Sequence, residues 1–535
     1  MVFSKVLRSS LSLLLSLVIL TGCQGFTRRE YLATPLRSLP AEAHPTPTIT
    51  FTLAAPSLKD LDSIPAPNLF QFSWTDRFPY KDGLVPEARS VLNERYDRSV
   101  YHLMVNIAED YQSMTVKEEV LYTNHEDTTL DKIVLRMYPA IFGAKVTYHR
   151  FLVDGVEVQP VVRANDSVIE LPLKDVLKVG TSIVLSTDLE LQMPSDPSGN
   201  YQVFGFVDNL LTLAHFYPII AVYDADGWHD EIPPSYGDVV YSDTSYYLVE
   251  VTFPGDAVLV SSGISKEQQR ADDRQTVLLA GGPMRDFFIA AGPGLEKISR
   301  QVGSTTVNSY ANHEVLDGSR KALDTAAEAI RIFDEKIGSY PYIEFDVLAT
   351  STTALGVEYP GVTVINRTIY QPDEKTGGVS NSIYLESTIA HEVGHQWFYN
   401  VVGDDQVNQP WLDESLAQYI TGLYFTHRYS DQAAEGFKDS WYSRWEGVKL
   451  QEIPIGLPVK DYDPKTYGAI VYGRGPIFLT TLHDAMGAAV FDQFLKDYYR
   501  KNMWENVTGE ILKKTAEAAC SCDLNGLFNK WVFSK

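Results

Sequence analysis

Two segments that carry complementary metal ligands constrain the fold of this 535-residue chain more than any other feature. Residues 391–395 read His-Glu-Val-Gly-His, and eighteen residues separate His395 from Glu414. On a helix, His391 and His395 lie four residues apart on one face, so both ring nitrogens can bind one ion. Glu414 would complete the ligand set from a second helix. We therefore expect a fold that brings two helices face to face across a metal.

The ligand types predict a catalytic zinc site. Two His and one Glu leave the fourth position of a tetrahedral zinc ion open to water, whereas structural zinc sites are closed by four protein ligands. Glu392, next to His391, can accept a proton from that water as a general base. The sequence thus predicts one Zn²⁺ per chain, with His391, His395 and Glu414 as its ligands.

Both ligand-bearing segments have the hydrophobic pattern of helices. Residues 387–398 place Ile389, Val393 and Trp397 at helical spacing, and residues 411–424 read as a second amphipathic helix. This context favours a built site over a chance occurrence of the same letters.

The charge of the chain bears on its partners. The formal net charge is −24, so no basic surface is available to replace phosphate counterions, and nucleic acid is excluded as a partner. The same charge argues against electrostatic docking on anionic lipid. Oligomeric state cannot be read from the sequence.

The N-terminus is typical of a targeting segment. Lys5 and Arg8 precede the apolar run 11–20, which is short for a bilayer span but suits the core of a signal peptide. The run ends in Thr-Gly-Cys23, which resembles the bacterial lipobox. We predict a lipoprotein-type signal peptide over residues 1–22 and lipidation of Cys23, with plain cleavage near Gly22 as the alternative. The protein would then lie outside the cytoplasmic membrane, held by a lipid anchor only.

Three further regions follow along the chain. Residues 23–94 are rich in Pro and predict an extended tether, although residues 68–74 are expected to pack on the folded body. Residues 95–300 contain short alternating or apolar runs, with a hairpin signal at Asp154-Gly155, and predict an antiparallel, sandwich-like β domain. Residues 301–535 mix helices and strands, including a clear helix over 321–337 and a strand with a bulge over 362–370.

The two remaining cysteines, Cys520 and Cys522, are separated by one residue. A disulfide between them is expected to be strained, so they read as incidental thiols.

With these motifs in place, the sequence resembles the gluzincin aminopeptidases, the family that includes aminopeptidase N and the leukotriene-epoxide hydrolase. The metal motif with its eighteen-residue gap is that family's zinc signature. Residues 356–360 (GVEYP) resemble its Gly-x-Met-Glu-Asn motif, with Val357 in place of Met and Tyr359 in place of Asn. Residues 472–475 (YGRG) resemble its Tyr-x-Lys-Gly segment, with Arg474 in place of Lys.

The resemblance implies a fold and a set of roles. The fold would be multidomain α+β: an N-terminal β domain followed by a thermolysin-like, mainly helical catalytic domain. Glu392 would be the general base and Tyr472 a donor to the developing oxyanion. Gly356 and Glu358 would bind the substrate, Glu358 by pairing with its free α-amino group, and Tyr467 would be a second tyrosine near the site.

The implied function is hydrolysis of the first peptide bond of peptides with a free N-terminus. The same zinc chemistry leaves two alternatives among enzymes, an endopeptidase and an epoxide hydrolase. A third alternative is a lipid-anchored binding protein with an idle metal site.

Overall fold

The computed structural model describes residues 69–533. The predicted signal peptide, Cys23 and the tether up to residue 68 therefore lie outside the described residues. Within residues 69–533, no helix combines the length and apolarity needed to cross a membrane.

Residues 72–94, which the sequence places at the end of the tether, lie on the folded body. They contain 3-10 helices at Phe78–Gly83 and Pro86–Ala88 and the helix α1 (Val91–Glu94), and a further 3-10 helix, Leu69–Gln71, precedes them. The Val85 N–H donates to the Pro341 carbonyl at 2.9 Å, and the Tyr80 ring lies 4.8 Å from that of Tyr246.

The N-terminal domain is built from strands. They are β1 (Val100–Ile107), β2 (Ser113–Thr123), β3 (Leu130–Arg136), β4 (Lys145–Val153), β5 (Val156–Glu157), β6 (Val161–Arg163), β7 (Val168–Leu177), β8 (Ser182–Gln192), β9 (Phe204–Val207), β10 (Leu210–Leu213), β11 (Ile219–Ile220), β12 (Tyr223–Asp224), β13 (Gly227–Trp228), β14 (Ser245–Pro254), β15 (Val258–Ser261), β16 (Ile264–Ala271), β17 (Arg274–Met284) and β18 (Ile289–Gly292). The short helix α2 (Tyr138–Ile141) and a 3-10 helix, Asn200–Gln202, interrupt them.

These strands form one large and three smaller sheets. The large sheet has the order β16-β17-β14-β1-β2-β8-β4-β5, and the smaller ones are β15-β18-β10-β9, β11-β3-β7-β6 and β12-β13. Pairing is antiparallel throughout except between β1 and β14. Asp154 and Gly155 form the predicted two-residue turn, both with positive φ, between β4 and β5. The predicted antiparallel β domain is confirmed.

The C-terminal domain combines one sheet with a set of helices. Its strands are β19 (Leu295–Val302), β20 (Thr305–Asn312), β21 (Glu344–Thr350), β22 (Gly356–Tyr359), β23 (Val362–Asn366), β24 (Lys375–Thr376), β25 (Val379–Ser380), β26 (Gly403–Asp404) and β27 (Asn506–Val507). Its helices are α3 (Leu316–Lys336), α4 (Asn381–Gly394), α5 (Trp411–Arg428), α6 (Asp431–Glu446), α7 (Pro464–Ala469), α8 (Gly475–Met486), α9 (Ala488–Asn502), α10 (Gly509–Cys520) and α11 (Asn525–Phe528). Short 3-10 helices lie at His313–Val315, Arg367–Tyr370, Lys449–Gln451 and Val459–Asp461, and π-helical turns at Ile470–Arg474 and Asn529–Phe533.

The main sheet of this domain has the order β19-β20-β21-β23-β22, which leaves β22 at an edge. Helix α4 packs against both β22 and β23, and against α3 and α5. This arrangement sets the motif over 356–360 beside the helix that carries the two histidines. The hairpin of β19 and β20 belongs to this sheet and spans the boundary at residue 300 that the sequence suggests.

One strand is shorter than the sequence predicts. Strand β23 ends at Asn366, and a 3-10 helix follows where the bulged strand over 362–370 was expected. The Asn366 side chain accepts a hydrogen bond from the Thr368 N–H at 2.9 Å, and this local bond turns the chain out of the sheet.

The cysteine prediction is wrong. Cys520 and Cys522 form a disulfide. Ser521 between them adopts a left-handed conformation, with φ 51° and ψ 40°, at the end of α10. That turn brings the two Cα atoms to 5.2 Å, within the usual span of a disulfide.

A buried arginine joins the two domains. Arg285, after β17, donates to the carbonyls of Tyr399, Asn400 and Glu505 on the C-terminal side and to that of Ser242 on its own side. Its side chain is almost fully buried. Because a buried guanidinium must have its hydrogen-bond donors satisfied, this network fixes the β domain against the segment that follows helix α4.

Candidate metal centre

Helix α4 presents the first two ligands. It begins after Ser380, whose hydroxyl caps the helix by accepting from the Ser382 N–H. His391 lies in its last turn, and His395 follows at the C-terminal cap, with its N–H donating to the His391 carbonyl at 3.3 Å. The helical geometry thus persists just far enough to keep both imidazoles on one face, and both are buried.

The third ligand comes from α5. Pro410 precedes this helix, where a missing N–H and a fixed φ suit a helix start, and Glu414 lies in its first turn. The neighbouring Asp413 side chain accepts from the Glu414 N–H at 2.7 Å. Helices α4 and α5 pack together, as the two ligand-bearing segments predict.

The three ligand atoms have the spacing that zinc requires. His391 Nε2 lies 3.0 Å from Glu414 Oε2 and 3.2 Å from His395 Nε2, and the third separation, His395 Nε2 to Glu414 Oε2, is 3.5 Å. Ligand atoms at 2.0–2.1 Å from a tetrahedral ion are separated by roughly 3.3–3.4 Å. The donor set therefore fits a zinc ion without rearrangement.

The surroundings orient these ligands. His395 Nδ1 lies 3.1 Å from the Phe398 carbonyl, which can only accept, so the ring proton lies there and Nε2 is left with a lone pair for a metal. Glu414 Oε1 accepts a hydrogen bond from the Tyr472 hydroxyl. Hydrogen bonds thus hold both the His395 imidazole and the Glu414 carboxylate, through atoms other than the proposed ligand atoms.

The candidate base, Glu392, lies against a glycine. A Cβ on Gly356 would lie 2.5 Å from Glu392 Oε1 and 2.6 Å from its Cγ. Carboxylate atoms of Glu392 and Glu358 and a ring nitrogen of His395 all lie within 4.8 Å of one another. Strand β22 therefore contributes two things at once: a position without a side chain beside Glu392, and Glu358 beside the metal ligands.

Glu358 is held by an amide that the sequence did not single out. Gln406 Nε2 donates to Glu358 Oε1 and to Asp413 Oδ2, both at 2.8 Å. All three side chains are buried. The bridging amide keeps two carboxylates in place and leaves Glu358 Oε2 free of this contact.

The two tyrosines come from the stretch 464–474, where α7 passes into a π-helical turn. Tyr472 lies in that turn, and its ring centroid is 6.0 Å from that of His391. Tyr467 lies in α7 with its ring 5.9 Å from that of Tyr472. Arg474, in contrast, points to structural partners: it donates to the Ile453 and Lys530 carbonyls.

The carboxylates of the site differ in their electrostatics. Burial, reinforced by Glu358, raises the pKa of Glu392 well above its usual range. Burial also raises the pKa of Glu358, and burial and Glu414 together raise that of Asp413 to about 8. Burial acts in the same direction on Glu414, but the hydrogen bonds with His391 and His395 outweigh it and lower its pKa. The ligand carboxylate is thus the one most strongly held in its anionic form.

The histidines respond in opposite directions. Burial lowers the pKa of His391. Burial opposes protonation of His395 as well, but Glu358 and Glu414 outweigh it and raise the His395 pKa. An ion bound between these groups would replace the proton in balancing their charge.

The structure brings together every candidate site residue of the sequence except Cys23, which is outside the described residues. Two further residues, Gln406 and Asp238, reach the site without any sequence signal. Gln406 lies in an irregular segment and Asp238 in a long loop of the β domain, so no period or motif marks them.

Comparison with known proteins shows which family and which relatives this chain is similar to. Residues 321–531 match the Peptidase family M1 domain. Aminopeptidase M1 of Arabidopsis thaliana is 26% identical over 306 residues, which cover 54% of this chain and 34% of the relative. Human endoplasmic reticulum aminopeptidase 2 is 26% identical over 272 residues, 49% of this chain and 27% of the relative. The chain thus spans about a quarter to a third of the length of the curated relatives it matches.

Solved structures share the fold over a larger part of the chain. An M1 zinc metallopeptidase from Deinococcus radiodurans is 21% identical, with a TM-score of 0.62, over 82% of this chain and 94% of its own. A mutant of that metallopeptidase bound to a Tyr-Ser-Ala substrate matches with the same identity, TM-score and coverage. The chain therefore shares the fold of these M1 metallopeptidase structures, with a β-sheet domain followed by a mainly helical domain.

Proposed function

Because residues 321–531 of this chain match the Peptidase family M1 domain, we propose that the protein is a zinc-dependent aminopeptidase. It would hydrolyse the first peptide bond of peptides with a free N-terminus and hold one zinc ion per chain. The observation that carries this proposal is the triangle of 3.0–3.5 Å among His391, His395 and Glu414, with the buried Glu358 carboxylate next to it.

The ligands and the general base have separate tasks. His391, His395 and Glu414 would hold the zinc, which when bound supplies a Lewis acid and lowers the pKa of water. Glu392 accepts the proton of the attacking water and later donates it to the leaving amine. Its confinement against Gly356 keeps the carboxylate directed at the site.

Tyr472 and Glu358 position the substrate and the charge that develops on it. The Tyr472 hydroxyl, which donates to Glu414 in the structure, would turn from that carboxylate and donate to the substrate's carbonyl oxygen as that atom becomes anionic. Glu358 pairs with the substrate's α-ammonium group, whose pKa near 7.7–8.0 keeps it largely cationic at neutral pH. The distance from Glu358 to the candidate metal centre then selects the first peptide bond for cleavage. A substrate with a blocked N-terminus would leave the buried Glu358 carboxylate unpaired.

A panel of aminoacyl anilides, assayed with and without a chelator, tests this proposal. We expect hydrolysis of free-amine reporters, loss of activity on chelation and recovery with added zinc. Preference for N-acetylated peptides would instead indicate an endopeptidase, and turnover of a lipid epoxide alone an epoxide hydrolase. Absence of any turnover in the zinc-loaded protein would contradict the proposal.

Two variants test the assigned residues. Glu392→Gln should retain zinc and lose about 10²–10⁴-fold in kcat, because only the general base is removed. Tyr472→Phe should lower kcat by about 10²-fold and change KM less, because its hydrogen bond to substrate forms in the transition state. Equal losses in zinc content and activity would assign either residue a structural role.

We further propose that Cys23 is lipidated and anchors the protein outside the cytoplasmic membrane. The signal over residues 1–23 of the sequence supports this proposal. Labelling with a fatty-acid analogue and fractionation of Cys23→Ala test it. A variant that stays in the membrane fraction, or a wild-type chain without label, would contradict the anchor.

A further inference from the structure

A cavity of about 360 Å³ lies where the β domain meets the main sheet of the C-terminal domain. Ile264 of β16 and Met284 of β17 line one side of it. Glu344 and Asp346 of β21 line the other side, together with Gly361. None of these residues belongs to the candidate metal centre, so the cavity is a separate feature of the molecule.

Two carboxylates lie side by side in the wall of this cavity. Glu344 and Asp346 are two residues apart on β21, so their side chains lie on the same face of the sheet. Asn308 Nδ2 donates to Glu344 Oε1 at 2.6 Å and to Asp346 Oδ1 at 2.7 Å. Lys297 on β19 lies 3.3 Å from the same oxygen of Glu344. One amide therefore holds both acids, and the neighbouring ammonium group pairs with Glu344.

Asp346 has an oxygen atom without a partner. The residue is 4% exposed, and within residues 69–533 its side chain forms no ion pair and accepts a hydrogen bond at Oδ1 only. Because Asp346 lines the cavity, that space is where a partner for Oδ2 can lie. Buried carboxylates normally have their oxygens hydrogen-bonded or bound to a cation, so this oxygen indicates a ligand.

The electrostatics of the pair favour a positive ligand. Burial raises the pKa of Asp346 from 3.8 to about 8, and the Glu344 carboxylate adds to the rise, although the Asn308 amide opposes it. The protein by itself thus compensates the two negative charges poorly. A cation between them would relieve their repulsion and replace the proton on Asp346.

The wall of the cavity supplies the ligands that a hard cation prefers. Backbone without side chains forms much of the wall, at the lining residues Gly83, Gly263, Gly281, Gly282 and Gly361. Ca²⁺ takes carboxylate and backbone carbonyl oxygens together with water, in flexible geometry, whereas zinc sites are built mainly on His and Cys. No His or Cys is among the described residues that line this cavity. The lining therefore fits Ca²⁺ better than a second zinc ion.

We propose that this cavity is a binding site for a hard divalent cation, with Glu344 and Asp346 as its carboxylate ligands and Ca²⁺ as the probe. The cation lies between β21 and the strands of the β domain that form the opposite wall. Its binding stabilises the contact between the two domains, because the site is complete only when both walls are in place.

Calorimetric titration of Ca²⁺ into the full, zinc-loaded chain tests the site, in about 100 mM NaCl to screen diffuse charge effects. The wild type should bind one Ca²⁺ with a Kd of about 0.1–1 mM, the range of extracellular calcium modules. Asp346→Asn keeps an acceptor for Asn308 and removes the charge, so its affinity should be at least about 10-fold weaker. A wild type that binds no Ca²⁺, or equal affinity in both proteins, would overturn the proposal.

Two further variants separate this site from acids elsewhere and from misfolding. Asp439→Asn makes the same substitution at an exposed position of α6 and should bind Ca²⁺ as the wild type does. Glu344→Gln removes the second, half-buried carboxylate and should weaken binding as Asp346→Asn does. Unchanged affinity in Glu344→Gln would remove it from the ligand set and overturn the two-carboxylate site.

Thermal unfolding provides a readout of the domain contact. Ca²⁺ at about 10 times its Kd should raise the Tm of the wild type and of Asp439→Asn by about 1–3 °C and leave that of Asp346→Asn unchanged. An equal rise in all three proteins would assign the binding to surface acids and overturn the site. Neither measurement requires turnover, so failure of this proposal is distinguishable from failure of the proposed function.

Discussion

The carboxylate of Glu392 occupies the space where Gly356 would carry a side chain. A Cβ on Gly356 would meet Glu392 Oε1 at 2.5 Å, Cδ at 2.7 Å and Cγ at 2.6 Å, all closer than real Cβ contacts come. The two residues belong to adjacent elements, the edge strand β22 and the helix α4. Glu392 can thus occupy this position only because residue 356 has no side chain. This steric role is separate from any backbone contact that Gly356 makes with substrate.

Gly356→Ala should displace the base and leave the metal ligands in place. A shift of about 1 Å in a reacting group can lower the rate by about 10²-fold, so we expect kcat to fall by that order. Zinc content should be unchanged, because the three atoms nearest to a Cβ at residue 356 all belong to Glu392 and not to a metal ligand. Steady-state kinetics together with metal analysis checks both expectations.

Gly436→Ala is the matched control for this substitution. Gly436 lies in helix α6, and a Cβ there meets no atom within 4 Å. It should therefore retain full activity and gain slightly in helix stability. If Gly356→Ala also retained full activity, the packing of Glu392 against β22 would not direct the base.

The amide of Gln406 should control affinity for the substrate amine. Gln406→Met removes both hydrogen bonds to Glu358 and Asp413 and leaves two buried carboxylates without a donor between them. We expect KM for free-amine reporters to rise by roughly 10-fold, with kcat less affected, and the free energy of unfolding to fall by about 1–3 kcal/mol. Kinetics and thermal unfolding measure the two effects.

The same change at an exposed glutamine separates these effects from loss of polarity alone. Gln432→Met lies on the exposed start of α6 and should change neither KM nor unfolding. A rise in KM with both substitutions would remove the specific role assigned to Gln406.

The cluster of candidate metal ligands could be predicted because its residues lie close together in sequence. Two ligands one helical turn apart, a base between them and a third ligand on the next helix can be read from spacing alone. The motif over 356–360 needed the family resemblance, since four strand residues carry no metal signature of their own. Its proximity to Glu392 follows only from the pairing of β22 with β23 and their packing on α4.

The remaining parts of the site depend on long-range packing. Asp238 reaches the centre because Arg285 and Tyr236 fasten the β domain to the C-terminal domain, and neither contact has a sequence pattern. Gln406 acts from an irregular segment, where no periodicity applies. The disulfide was missed for a local reason, since spacing does not reveal that Ser521 adopts a left-handed conformation.

A histidine at the domain boundary should make stability depend on pH. His229, in the β domain, faces Glu231, Asp224 and Asp405, the last of which belongs to the C-terminal domain. The Glu231 carboxylate, against the effect of burial and with help from Asp224, raises the pKa of His229 from 6.5 to about 9. Because the folded-state pKa is the higher one, this stabilisation is complete below pH 6.5 and is lost as the pH rises to about 9.

Thermal unfolding between pH 6 and 9.5 measures this contribution. Between pH 6 and pH 9.5, the Tm of the wild type should fall by about 2–4 °C more than the Tm of His229→Gln. His149→Gln, at an exposed position of β4, should follow the wild type. Parallel pH profiles for wild type and His229→Gln would show that the cluster does not stabilise the domain contact.

A buried acid in the β domain should destabilise the protein at neutral pH. Glu118, on β2, is 1% exposed, and neither of its carboxylate oxygens has a hydrogen-bond partner within the described residues. Burial raises its pKa well above 4.5, so the folded state holds a proton that the unfolded chain releases. Stability is therefore lost as the pH rises from about 4.5 towards the folded-state pKa.

Glu118→Gln should raise the free energy of unfolding by about 1–3 kcal/mol at pH 8 and by less at pH 4.5. Glu190→Gln is the control, because Glu190 is half-buried on β8, and it should have little effect at either pH. Denaturant titrations at pH 4.5 and pH 8 measure the free energy of unfolding. If Glu118→Gln raised that free energy equally at both pH values, ionisation of Glu118 would be ruled out as the cause.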